Sequence, residues 1–501
     1  MVRHRAVVKV TPNANRSILW NLVTGPVVLG LNLILVPISI YVAGASDYGV
    51  WALCFGAASL LGQADLGLGT SVVRQLAAWR AQREVEREGY AKTVAMGLFL
   101  CLGITLSLTM IPAMNLYFSG RHVSDELELR WFLIPAAASL LLMILSRYSI
   151  SVIQSYGWFY PERILAILGI VVRGCILLTG LVTGAGIGFV IVADISAVVV
   201  LVFGSALYMY YSGIGPEFNI IFAARSGVTR PLLQFGVPTF LSSISSLVAL
   251  QAPLFFVGWS AGYADAAVYS AITRIFMSAR MSFGWVTGPS LPEISAAAHV
   301  SDHRGIARKN VRSVLILCAV VSCLVAPCLV AGDELLGAWL GAEFSEFGPV
   351  LAIVSIAIFL YALYAPGVVF ATALGHPGVV AVQNVLLCGL TVVLCVFLVP
   401  DHGAEGAAIA SLLGIGILFP VNQVSLKKIT GFPWLTTTFL CVLYLSLLSL
   451  LVWISGLILD DLSAPTVVKI LIFGAECAAC GMITARYLVP RFGGKVCLRR
   501  P

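Results

Sequence analysis

Three arginines stand inside runs of otherwise apolar residues: Arg173 in the stretch 163–183, and Arg274 and Arg280 in the stretch 264–290. A guanidinium stays charged at any accessible pH, and its planar fork of donors matches phosphate oxygens two at a time. At mid-bilayer each such charge costs about 2.5 to 3.5 kcal/mol, so it faces either a partner or a polar cavity. For Arg173 the partner is at hand. It lies about 12 residues before the turn near 185 and Asp194 about 9 after it, a height difference of only ~5 Å. Arg173 therefore either pairs with Asp194 or contacts a ligand. No Asp or Glu occurs in 231–259, and the acids nearest Arg274 and Arg280, Asp265 and Glu293, sit towards opposite ends of their stretch. A ligand is the expected partner for these two. Six helical residues separate them by roughly 120°, so they flank a cavity rather than form one stripe.

Other polar residues fall on helical faces that could line the same cavity. Asn21 and Asn32 lie within about 20° of one face, and Arg147, Ser151 and Gln154 share another. Hydrogen bonding between helices accounts for such residues equally well. Arg16 and Arg74, near the membrane surface, either capture an anionic headgroup or only follow the charge distribution. Asp65 is read as a helix cap or a partner for a neighbouring Arg. For coupling to an ion, the carboxylate candidates are Asp194 and Glu476. Ser242, Ser243, Ser245 and Ser246 offer oxygens for a cation but no carboxylate beside them. No metal site or cofactor is expected. Cys477 and Cys480 have redox spacing but no His nearby and are read as packing. His299 and His303 lack a third ligand. Gly67-Leu68-Gly69 lacks the strand that a phosphate loop requires.

The elements that must position these residues follow from composition. Charged types are 11% of the 501 residues, against about a quarter in soluble domains. Hydrophobic types reach 59%, and mean hydropathy is +0.99. Runs near the 20 residues that span a bilayer recur throughout. The spans are read as 17–43, 48–71, 92–118, 131–153, 163–183, 187–211, 231–259, 264–290, 311–331, 348–372, 378–400, 405–426, 434–457 and 465–488. With the N-terminus inside, 24 of the 30 Lys and Arg fall on cytoplasmic segments and only Arg121, Arg130 and Lys469 outside, as the positive-inside rule requires. The first run exceeds a signal-peptide core in length, so the first helix is expected to stay. The twelve cysteines lie mostly in spans, and no disulfides are expected.

An all-α polytopic protein of about fourteen helices follows, with both termini cytoplasmic. A shift of 218 residues lays Gly44, Asp47, Val50 and Trp51 on Gly262, Asp265, Val268 and Tyr269. The even span number per unit makes two parallel repeats, the architecture of secondary transporters with a midplane site. The expected domains are a cytoplasmic N-terminus (1–16), a six-helix bundle (17–211), a cytoplasmic linker (212–230), a second six-helix bundle (231–426), two additional helices (427–489) and a cytoplasmic tail (490–501).

Asn15-Arg16-Ser17, Pro37, Asp47-Tyr48-Gly49-Val50-Trp51-Ala52-Leu53 and Asp65-Leu66-Gly67-Leu68-Gly69 followed by Arg74 resemble the polysaccharide-transporter branch, with its Wzx-type flippases, of the multidrug, oligosaccharidyl-lipid and polysaccharide exporter superfamily. The resemblance covers the first twelve spans. It implies a non-enzymatic flippase moving an undecaprenyl-diphosphate-linked oligosaccharide across a bacterial inner membrane, for O-antigen, capsule or exopolysaccharide assembly. Its partners would be that lipid-linked oligosaccharide, membrane lipids and a polysaccharide polymerase. Two rivals stand beside it: an ion-coupled multidrug or metabolite antiporter of the same superfamily, and a membrane polymerase or glycosyltransferase on the same carrier. The first span offers no acid to exchange a proton, and the outside connections, about 12 to 16 residues at most, hold no catalytic constellation.

Overall fold

Without water to bond to in the hydrocarbon, backbone groups must satisfy one another, and apolar sequence of this composition does so as helix. The computed structural model describes residues 14–63, 67–119, 126–158, 160–184, 186–216, 236–287, 303–374, 376–430, 433–461 and 465–483. Among these there is no strand. The α-helices are α1 (Ala14–Ala43), α2 (Ala45–Gly62), α3 (Leu68–Ala81), α4 (Val85–Phe118), α5 (Glu126–Ser155), α6 (Tyr160–Thr183), α7 (Ile187–Tyr211), α8 (Gly236–Ser260), α9 (Tyr263–Thr287), α10 (His303–Val330), α11 (Gly332–Trp339), α12 (Gly348–Ala373), α13 (Pro377–Thr430), α14 (Trp434–Asp461) and α15 (Thr466–Ile483). Eight helical stretches among the described residues are long and apolar enough to cross a membrane, and Gly30–Ala43 and Ile244–Ser260 are shorter apolar ones. Each expected span overlaps a helix among the described residues, and one, 48–71, overlaps two. α13 holds two of them, divided at Gly403, whose φ of 53° and ψ of −129° are non-helical. The chain is an all-α polytopic membrane protein.

Three local features depart from the span list. The expected span 48–71 is broken: α2 stops at Gly62, and α3 starts after Gly67 in the left-handed region. α4 begins at Val85, before the expected 92, because Glu86 and Glu88 favour a helix N-terminus. The connection 332–347 is itself helical, forming α11 and a 3-10 turn, Ala342–Phe347. The linker 212–230 lies largely outside the described residues, as do Asp65, Glu293, His299 and the tail.

The chain divides into two compact units. One comprises Met1–Asn32 and Cys54–Phe240, the other Leu33–Leu53 and Leu241–Pro501. α1 and α2 thus each contribute to both. In the first unit α6 packs on α7, α4 on α5, α5 on α7, and α3 against α4 and α5. In the second, α12 is central, meeting α9, α10, α11 and α13, while α14 and α15 pack on α10. Burial separates the roles of these helices: 67% of the most apolar part of Ala342–Thr372 is buried inside the protein, against 11% of that of Trp434–Asp461. Phe439, Leu447, Trp453 and Ile458 of α14 are accordingly exposed, the surface that lipid covers.

The residues matched by the 218-residue shift share local roles. Gly44 (φ 80°) and Gly262 (φ 112°) both take the left-handed conformation just before a helix. Asp47 and Asp265 lie in the first turns of α2 and α9, where a carboxylate complements the helix dipole. Val50, Trp51, Val268 and Tyr269 are all buried.

Candidate substrate-binding site

α9 carries its two arginines into the interior of the second unit. Both are half-buried, and among the described residues neither forms an ion pair. Each rests instead near a tyrosine ring. The guanidinium carbon of Arg274 is 5.9 Å from the ring centroid of Tyr48 on α2, and that of Arg280 is 5.7 Å from Tyr361 on α12. Attraction between a cation and an aromatic face is worth about 0.5 to 2 kcal/mol at such separations. It holds the side chain without neutralising it. Tyr361 is fixed in turn by Phe283, stacked at 5.6 Å, and by Phe276 and Tyr364 at 5.9 and 4.9 Å. Arg280 also donates from Nη2 to Ser246 Oγ of α8 at 3.0 Å. Ser246 belongs to the serine run considered for a cation, and a guanidinium on its hydroxyl opposes a positive ion at that oxygen. Ser242 and Ser243 have side chains outside the described set.

A narrow cavity beside Arg280 runs between α8, α9, α12 and α13. Its walls are mainly apolar, with Ser246, Tyr269, Thr273, Tyr361, Asn384, Thr391 and Ser411 as polar points and no acidic side chain among its lining residues. Neither arginine lines this cavity; Arg280 touches two residues that do, Ser246 and Tyr361, and the lining itself offers hydroxyls and an amide. The lining suits neutral polar groups, and the two half-buried arginines of α9 suit an anionic one.

In the first unit Arg173 pairs with Asp194, Nε to Oδ1 at 2.6 Å, with both side chains about 5% exposed. Its Nη1 donates to Asn32 Oδ1 at 3.2 Å, and Asn32 donates from Nδ2 to the Val28 carbonyl. Nη2 of Arg173 is buried with no hydrogen-bond acceptor. The ion pair is therefore the arrangement present for both residues. Arg147 is exposed on α5 while Ser151 is buried, and Gln154 donates to Glu162 at 2.8 Å; the shared face divides among different surroundings. Arg74 is exposed on α3. Arg16 and Asn21 lie on α1, with side chains outside the described set. Glu476 accepts a hydrogen bond from Ser455 Oγ at 3.0 Å, joining α15 to α14. Cys477 is buried among Ala326, Leu448, Val452 and Phe473.

Sequence reasoning missed a polar cluster joining α3, α4 and the end of α5. Arg80 donates to Glu88 from Nη2 at 2.7 Å and to the Ser155 carbonyl at 2.7 Å, and its guanidinium lies 3.3 Å from the centroid of Tyr156. Lys92 donates to the Tyr156 hydroxyl, which donates to Glu88. Burial, then the Glu88 charge, pushes the Tyr156 phenol well above its ordinary value, so it remains a neutral donor. Glu88 four residues before Lys92 was the available signal; Arg80 and Lys92 registered only as basic residues.

No family model matches the sequence, and no curated protein matches it either. Solved structures do. "Lipid II flippase MurJ, inward closed conformation" superposes with a TM-score of 0.71 at 14% identity, covering 95% of this chain and 100% of that one. An inward-facing multidrug resistance MATE family transporter of the MOP superfamily gives 0.61 at 15% identity, covering 80% and 96%. A MOP superfamily transporter from Pyrococcus furiosus, described as having a binding pocket of reversed polarity, gives 0.56 at 15% identity, covering 84% and 97%. At these identities the likeness establishes the fold.

Proposed function

We propose that this protein is a flippase that carries an undecaprenyl-diphosphate-linked oligosaccharide across the bacterial inner membrane, by alternating access around a cationic cavity. The observation that carries the reading is the pair Arg274 and Arg280, held on tyrosine rings without an acidic partner among the described residues. A diphosphate supplies the missing anion, and a fork of donors meets its oxygens bidentately. Likeness to a lipid II flippase over 95% of the chain supports a lipid-linked cargo. Surface polysaccharide assembly, such as O-antigen, capsule or exopolysaccharide, would place a polymerase downstream as a partner. A second reading, an ion-coupled antiporter, draws on the likeness to the MATE transporter over 80% of the chain; Glu476, bonded to Ser455, is its carboxylate.

The test is complementation of a flippase-deficient strain, normalised to membrane protein level. Arg274→Ala or Arg280→Ala should abolish polymer export while insertion persists, since removing an intramembrane charge lowers the insertion cost. Lys should restore export in part, keeping the charge and losing the fork, and Gln should fail. Normal export from the double Ala variant would remove both residues from the site.

A further inference from the structure

α1 contains a carbonyl that its own helix leaves without a donor. An α-helix pairs the carbonyl at position 33 with the N–H at position 37, and Pro37 has none. The donor comes from far along the chain: the indole Nε1–H of Trp339, at the end of α11, reaches the Leu33 carbonyl at 2.9 Å. Leu33 and Trp339 are both half-buried, where little water can take over the bond, and both belong to the second unit, whose share of α1 begins at Leu33. Asn32, the residue before, is gripped within the first unit by Arg173. Adjacent residues of one helix thus answer to different anchors.

We propose that Trp339 is a positioning residue, whose indole N–H replaces the amide hydrogen that Pro37 removes and so ties residues 33–43 of α1 to α11. An ordinary backbone bond would travel with α1 wherever the helix went. This one is lost as soon as α11 and α1 part, so the outer half of α1 takes its orientation from α11 and not from its own ladder. α11 is well fixed for that task, because the backbone of its first residue, Gly332, lies close against Gly348 at the start of α12. This role requires no particular cargo and stands apart from the proposed transport activity.

The pairing of Pro37 with Trp339 makes a specific test, because restoring the backbone donor should make the indole dispensable. Amide hydrogen exchange is followed over residues 34–43 of the full-length protein in lipid nanodiscs. Trp339→Phe keeps the ring and removes the donor; it should speed exchange about tenfold, as loss of one buried hydrogen bond implies. In a Pro37→Ala background the same substitution should change exchange less than twofold. Unchanged exchange in the Pro37 background, or equal acceleration in both, would overturn the proposal and leave Trp339 a packing residue. Should Trp339→Phe fail to accumulate, recovery of folded protein by Pro37→Ala is the expected result, and no recovery counts against the bond.

Discussion

Arg173 and Asp194 are each about 5% exposed and 2.6 Å apart, so what matters energetically is the state of the survivor when one is removed. A buried charge stripped of its partner costs about 3 to 5 kcal/mol, whereas replacing both members with apolar residues of similar size is often neutral. Arg173→Leu and Asp194→Leu should each lower the melting temperature of the purified protein, and the double variant should melt above either single one. Losses that simply add would show that the pair is not coupled. This pairing was legible in the sequence because both residues flank one tight turn, and counting residues from that turn gives their heights. The tyrosine seats of Arg274 and Arg280 were not. Tyr48 and Tyr361 lie far from them along the chain, and helix periodicity says nothing about which distant ring comes to rest under a guanidinium.

Helices show the same division between local pattern and distant contact. Spans were readable because hydropathy is a property of neighbours in sequence, and each of the fourteen overlaps a helix among the described residues. The break between α2 and α3 escaped notice because the polar interruption is short, and α11 because eight residues make no span. Asp47-Tyr48-Gly49-Val50-Trp51 was read as part of an internal repeat and of a resemblance, and Gly49 within it has a physical reason in a contact between helices. A Cβ on Gly49 would overlap the carbonyl of Tyr263, the first residue of α9, and backbone cannot turn aside as a side chain can. Gly49→Ala should therefore separate α2 from α9 at a cost of at least the 1 to 3 kcal/mol typical of overpacking. Gly204→Ala is the control, since its Cβ would meet the flexible end of Leu165. Thermal unfolding of both variants decides the matter. Equal stability would mean that α9 moves off Gly49 without cost.

At the scale of the whole molecule, side-chain bridges and basic residues give independent information about sidedness. Lys469 on α15 bonds to Glu334 of α11 at 3.3 Å and to Asp460 of α14, which puts the connections around 334, 460 and 469 at one end of the second unit. Ser260 donates to the Val399 carbonyl at 3.1 Å, so the junction after α8 and the middle of α13 also share an end. Each of these junctions was assigned outside from the distribution of charged residues along the sequence, which shares only Glu334 and Lys469 with the bridges. They predict different things when tested. The bridges require that topology reporters fused after residues 340 and 463 agree with each other, whichever side that is. The basic count adds the absolute direction: both should read outside, while reporters after 300 and 428 should read inside, next to Arg304, Arg308, Lys309 and Lys427, Lys428. Disagreement between 340 and 463 would contradict the Lys469 bridges. Agreement of those two with the reporter after 300 would mean that α10 does not cross the membrane and that the span list fails there.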